Sequence, residues 1–200
     1  MCEKIEERKF ELNCGCTLHC LASGPAAGQA IVMLHGMKFQ AETWRELGTI
    51  ALLARQGYRV FALDLPGFGK SSACNAATDT VLAEFLLAAG LNNPVLVGPS
   101  MGGRVSLEFS LGHPEQIGGL VLVGAVGVRE NMARLGRLRL PCLVVWGGED
   151  AVSPIENADI LAENIPGARK VIIAGAPHPC YLAEPRSWHN AILTFMKERF

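Results

Sequence analysis

Pro94-Val95-Leu96-Val97-Gly98-Pro99-Ser100-Met101-Gly102 decides the fold. Pro94 to Val97 is short and apolar, like a buried strand, and Met101 to Leu111 reads as a helix. Between them stands G-x-S-x-G. A strand, a sharp turn carrying a serine and then a helix make a nucleophile elbow. The glycines two positions either side leave room for a strained backbone and for close strand–helix packing. Ser100 is therefore a candidate nucleophile.

The same alternation extends in both directions. Lys9 to Cys14 and Cys16 to Ala22 form an opening hairpin around Gly15, and Ala30 to Leu34 is an apolar strand. Glu42 to Gln56 reads as one helix with Gly57 as its C-cap. Tyr58 to Leu63 is a strand, and Asp79 to Ala89 a helix ended by Gly90. After the elbow come strand Gly119 to Val123 and a short helix at Arg129 to Arg134. Cys142 to Trp146, Ile155 to Asn164, Lys170 to Ile173 and Pro185 to Arg199 then read as strand, helix, strand, helix. Such alternation predicts an α/β fold, a mostly parallel central sheet of about eight strands with helices on both faces. The 200 residues are expected to form a single domain, 1–200, and half of them are hydrophobic.

Net charge is −1, with the signs mixed, so nothing favours nucleic acid or a membrane surface as a partner. Met1 to Arg8 is charged and lacks the apolar core of a signal peptide. The apolar runs are far shorter than the ~20 residues of a membrane helix. Seven cysteines, odd in number and irregular in spacing, argue against a full disulfide framework. The expected address is the cytoplasm. Cys14, Cys16, His19 and Cys20 superficially suggest a metal cluster, but Cys16 and Cys20 would lie ~13 Å apart along a strand. They read as small buried strand residues, and no metal or cofactor is expected.

A serine nucleophile needs a base, and the base an orienting carboxylate. Asp150 follows strand 142–146 and His178 follows the strand ending at Ile173, so the chain order is Ser, acid, His. Both fall past the carboxyl ends of parallel strands, where ligands bind in open sheets. Glu149, adjoining Asp150, is the alternative acid. One oxyanion-hole donor is the backbone N–H after the nucleophile, Met101; the other comes from the loop after strand 30–34, at Met37. His35 is expected to shape that loop through hydrogen bonds.

By these motifs the chain resembles the α/β-hydrolase superfamily over essentially its whole length. They are His35-Gly36, Asp64 to Ser71, Gly98 to Gly102, Gly147 to Asp150 and Gly175 to Pro185. The Asp64 turn matches a recurrent structural feature of that family. Leu34 to Trp44, Pro99 and His178 to Leu182 are similar to the α/β-hydrolase domain-containing protein 14 family. That resemblance implies a small, lidless enzyme hydrolysing simple activated esters, with protein deacetylation as a further activity.

Only Arg129 to Leu140 separates strand 119–123 from strand 142–146, which is too short for a cap domain. A shallow site follows, with Phe39, Trp44 and Phe68 as substrate-binding candidates and Met37 and Met101 as further lining. Arg129, Arg134, Arg137 and Arg139 read either as a solvated basic face or as a contact for an anionic leaving group. The expected function is a serine hydrolase cleaving esters of small acyl groups, with a small-molecule acyl substrate as partner. A deacylase, acyltransferase or C–C hydrolase with the same triad, and a non-catalytic binding protein on the same scaffold, are the alternatives.

Overall fold

A computed structural model of the chain describes residues 4–200. Met1, Cys2 and Glu3 of the charged opening segment lie outside the described residues. Eight strands form one sheet: β1 (Glu6–Glu11), β2 (Thr17–Ser23), β3 (Ala30–Met33), β4 (Arg59–Leu63), β5 (Val95–Pro99), β6 (Gly119–Val123), β7 (Cys142–Gly147) and β8 (Arg169–Ile173). Their spatial order is β1-β2-β4-β3-β5-β6-β7-β8. β1/β2 and β2/β4 are antiparallel and every other pair is parallel.

The parallel strands are apolar on both faces because both are covered. Alternate residues supply two cores. Val32, Leu96, Leu122 and Val144 belong to one. Ile31, Val97, Val121 and Val145 belong to the other. Helices α3 (Thr78–Ala88), α4 (Met101–Gly112) and α6 (Glu156–Asn164) close the first. The second is closed by α1 (Ala41–Glu46), α2 (Thr49–Arg55) and α8 (Pro185–Arg199). Each buried Val or Leu contributes about 1.5–3 kcal/mol through removal from water, so this double layer fixes the strand register.

The expected helix over 42–56 is in fact α1 and α2. Gly48 takes a left-handed conformation, φ 80°, and starts a new helix axis. The short helix at 129–134 is α5 (Val128–Asn131) running into a 3₁₀ turn, Met132–Arg137. These two elements fill the place of a cap between β6 and β7. No helix among the described residues is long and apolar enough to cross a membrane.

The cysteine reading needs correction. Cys16 is buried, but it forms a disulfide with Cys74, 58 residues away, and clips the loop before α3 to the start of β2. Such bonds are uncommon in reducing compartments, so the cysteines no longer argue for a cytoplasmic address. His19 is not a ligand either: its buried ring lies between the carboxylates of Asp64, at 2.8 Å, and Glu7, at 3.3 Å.

Candidate active site

Ser100 sits on the turn between β5 and α4 with φ 51° and ψ −114°, a conformation rare for a residue bearing a side chain. Its N–H donates to the Val123 carbonyl at 2.9 Å and its own carbonyl accepts from Arg104 N–H at 3.0 Å. The elbow is too tight for side chains beside it. A Cβ on Gly98 would stand 2.2 Å from the Gly102 carbonyl oxygen, and one on Gly102 would stand 2.7 Å from the His35 carbonyl oxygen. Both glycines are thus required by backbone approach.

Asp150 is buried in the turn after β7. Its Oδ1 accepts the N–H groups of Val152, at 2.9 Å, and Ser153, at 2.8 Å. His178, in the loop after β8, places Nδ1 2.8 Å from Asp150 Oδ2. The Ser100 hydroxyl lies 2.8 Å from His178 Nε2. With the carboxylate accepting from Nδ1–H, Nε2 is left as the acceptor for the serine hydroxyl. The three side chains therefore meet in one relay, although 78 residues separate Ser100 from His178. Glu149 is exposed and its backbone N–H is bonded to the Ala176 carbonyl; its side chain takes no part.

Among the described residues, no protein acceptor is bonded to the backbone N–H of Met37 or Met101. Gly36, which precedes Met37, packs against the serine: a Cβ there would touch Ser100 Cβ at 3.7 Å. Loop 35–41 is pinned at both ends. Near its start, His35 Nδ1–H donates to the Gly36 carbonyl at 2.8 Å, and His35 Nε2 accepts from Leu65 N–H at 3.0 Å. Burial holds His35 below the ordinary histidine range, in keeping with a neutral ring that both donates and accepts. At the far end, Asp64 Oδ1 accepts from Ala41 N–H at 2.7 Å. Asp64 Oδ2 also accepts from Lys70 N–H at 2.9 Å. The Asp64 motif announced this turn; nothing in the alternation of β2 announced that His19 would brace it.

A cleft of about 460 Å³ opens over Ser100 and His178. Met37 and Phe39 line it as expected. Trp44 does not. It is fully buried, donates Nε1–H to the Leu34 carbonyl at 2.9 Å, and stacks with Tyr181 and Trp188. Phe68 also lies elsewhere, its ring centroid 4.9 Å from that of His35, where it backs loop 35–41. The Met101 side chain packs against the core beneath. In their place the cleft uses Tyr181, Val152, Pro179 and Lys38. Tyr181 gives no signal of its place in the cleft, because the short helix α7 (Cys180–Ala183) that carries it has no periodicity. Burial pushes the Cys180 thiol up to about 12, with the nearby Asp150 carboxylate adding to the effect, so it is protonated and inert.

Part of the basic cluster lies away from the site. Arg137 and Arg139 border a hollow with Asn93, Glu115 and Gly118, at the amino ends of β5 and β6. That is the opposite edge of the sheet from Ser100. Arg134 bonds Asn131 Oδ1.

Fold and site together define an α/β hydrolase, and comparison with known proteins agrees. A sequence model described as "alpha/beta hydrolase fold" matches residues 29–132, and the chain belongs to that family. It is 34% identical to human "Putative protein-lysine deacylase ABHD14B", covering 98% of this chain and 99% of that protein. It is 37% identical to "Protein ABHD14A" of Danio rerio, over 84% of this chain and 64% of that one. Among solved structures, a "predicted CIB-like hydrolase from Thermoplasma acidophilum" superposes with a TM-score of 0.94 at 25% identity, covering 98% and 99% of the two chains.

Proposed function

We propose that this protein is a serine hydrolase that cleaves carboxylic esters of small acyl groups through an acyl-enzyme on Ser100. The observation that carries the reading is the continuous relay from the Asp150 carboxylate through His178 to the Ser100 hydroxyl, each link 2.8 Å long. His178 Nε2 takes the hydroxyl proton as Oγ attacks the acyl carbonyl, and Asp150 steadies the imidazolium. The N–H groups of Met37 and Met101 receive the developing oxyanion; a donor of this kind lowers the barrier by about 3 kcal/mol. His178 then returns the proton to the departing alcohol. Water, deprotonated in turn by His178, releases the acid and restores Ser100. A cleft of about 460 Å³ with no cap above it suits short acyl groups better than long lipid chains.

A second reading keeps the same chemistry but changes the bond. The human relative, 34% identical over 98% of this chain, carries the name of a protein-lysine deacylase. An uncapped cleft also lets a protein surface present an acyl-lysine.

A fluorophosphonate probe tests both, since it needs only an activated serine. Labelling of the wild type and its loss in Ser100→Ala is the expected result; an unlabelled wild type would refute a serine hydrolase. A panel of acetyl to octanoyl p-nitrophenyl esters beside acetyl-lysine peptides then separates the two. Turnover of peptides over the best ester would move the assignment to deacylation.

A further inference from the structure

Lys38 stands in the cleft beside Met37, whose N–H is assigned to the oxyanion. Much of the cleft wall is apolar, with Met37, Phe39, Val123, Val152 and Pro179 on it. Lys38 forms no ion pair among the described residues, and Glu42, the nearest acid in sequence, and Asp150 of the relay are both engaged. Glu42 is paired with Arg45 at 3.2 Å, and Asp150 is buried behind His178 and bonded to two turn amides. Of the other titratable groups on the wall, Tyr181 is held protonated by burial, which raises its pKa, and His178 is occupied between Asp150 and Ser100. The cleft thus presents one uncompensated cation next to the carbonyl-binding position. Lys38 is exposed, so water and salt weaken its field, but no counter-charge beside it cancels that field, and it still attracts an anion seated in the cleft.

We infer that Lys38 makes this enzyme selective for esters that carry a carboxylate within a few bonds of the scissile carbonyl. Consecutive Cα atoms are ~3.8 Å apart, so the Lys38 side chain starts one residue from the oxyanion donor. Its four-carbon stem sweeps the first few bonds of either substrate arm. The Met37 and Val152 side chains, both exposed at the mouth, cover the intervening methylenes. This inference rests on the serine-hydrolase reading above and narrows it to a substrate class.

The carboxylate can be on the acyl chain or on the leaving group, and two matched pairs of esters separate the cases. The first pair is the mono-p-nitrophenyl ester of glutarate and the p-nitrophenyl ester of monomethyl glutarate. The second is 4-acetoxybenzoate and methyl 4-acetoxybenzoate. The readout is the ratio of kcat/KM, charged over neutral, within each pair. We expect a ratio above one in at least one pair for the wild type, falling as salt is raised. Lys38→Ala should lower that ratio about fivefold, the scale of a partly exposed ion pair. Lys38→Arg should keep it, and Lys38→Glu should push it lower still. A wild-type ratio of one or less in both pairs, or a ratio that Lys38→Ala leaves unchanged, overturns the inference while leaving the hydrolase reading intact. An equal loss of both members of a pair in Lys38→Ala also overturns it, placing Lys38 with the oxyanion instead. No turnover of any of the four esters, with no fluorophosphonate labelling, defeats the hydrolase reading and this inference together.

Discussion

Asp150→Asn tests the relay most sharply because the structure dictates how the new amide must turn. Asp150 Oδ1 accepts two backbone N–H groups, from Val152 at 2.9 Å and Ser153 at 2.8 Å. These amides cannot change sign, so the oxygen of an asparagine must occupy that position. Its NH₂ group then falls where Oδ2 lies, 2.8 Å from His178 Nδ1. Nδ1 also lies 2.9 Å from the Oδ1 position, but that oxygen already accepts two turn amides, so the NH₂ facing Nδ1 favours an accepting Nδ1 and moves the ring proton to Nε2. Nε2 can then no longer take the Ser100 proton. A misplaced tautomer in such a triad lowers kcat by about 10⁴-fold, equivalent to about 5.4 kcal/mol of barrier. The fold should survive, because both turn amides keep their acceptor. The assay is p-nitrophenyl acetate hydrolysis with melting temperature in parallel. Activity within tenfold of wild type, in a variant melting within about 2 °C of it, would show that Asp150 does not orient the base. The exposed Glu149 would then have to be tested in its place.

Three further outcomes follow from the packing and charge. Gly102→Ala pushes a methyl to 2.7 Å from the His35 carbonyl oxygen and 3.0 Å from Leu34 Cβ; urea unfolding should show a loss of about 1–3 kcal/mol, with kcat falling as the oxyanion loop shifts. Cys16→Ser opens a link spanning 58 residues. The chain-entropy model puts this at about 4 kcal/mol, or roughly 10 °C in Tm for a domain of this size, and calorimetry should find it. His35 is held below the ordinary histidine value by burial. The unfolded chain therefore takes up a proton there first, at about pH 6.5. The stability this neutral ring contributes is present above that pH and is lost as pH falls further. Denaturant titrations at pH 7.5 and 5.0 should show that loss in the wild type and a smaller one in His35→Asn.

Much of the site was legible because its decisive residues are local to strand ends. Ser100, Asp150 and His178 each follow an apolar run that reads as a parallel strand whatever the rest of the chain does. Strand Gly119–Val123 and helix Pro185–Arg199 were placed residue for residue for the same reason. What stayed hidden depends on distant partners. Phe39, in the loop after β3, and Trp44, on the α1 that follows it, look alike in sequence. Only the arrival of Tyr181 and Trp188 from the far end of the chain draws Trp44 into the core. Cys16 and Cys74 carry no local mark of their pairing. Gly48 could have been a tolerated helix glycine, and the break became visible only through its positive φ. Lys38 has no periodicity to betray it, since a loop lysine is ordinarily solvated.

The position of the site follows from the sheet order. The chain leaves β3 toward β4 on one side and returns to β5 on the other, so β3 and β5 are neighbours whose following loops diverge. A crevice at the carboxyl edge results without any lid. The loop after β3 brings the Met37 amide to it, and the turn after β5 brings Ser100 and the Met101 amide. β7 and β8, two and three places along the sheet from β5, supply Asp150 and His178 from the same edge. The positive φ of Ser100 costs on the order of 1–3 kcal/mol. That strain can be held because the strand before it is buried in both cores and the helix after it packs on the first. The same rigid frame leaves exposed loop residues as the variable part of the cleft. With the frame fixed by backbone contacts, Met37, Lys38 and Val152 are the positions on the cleft free to vary without disturbing the relay.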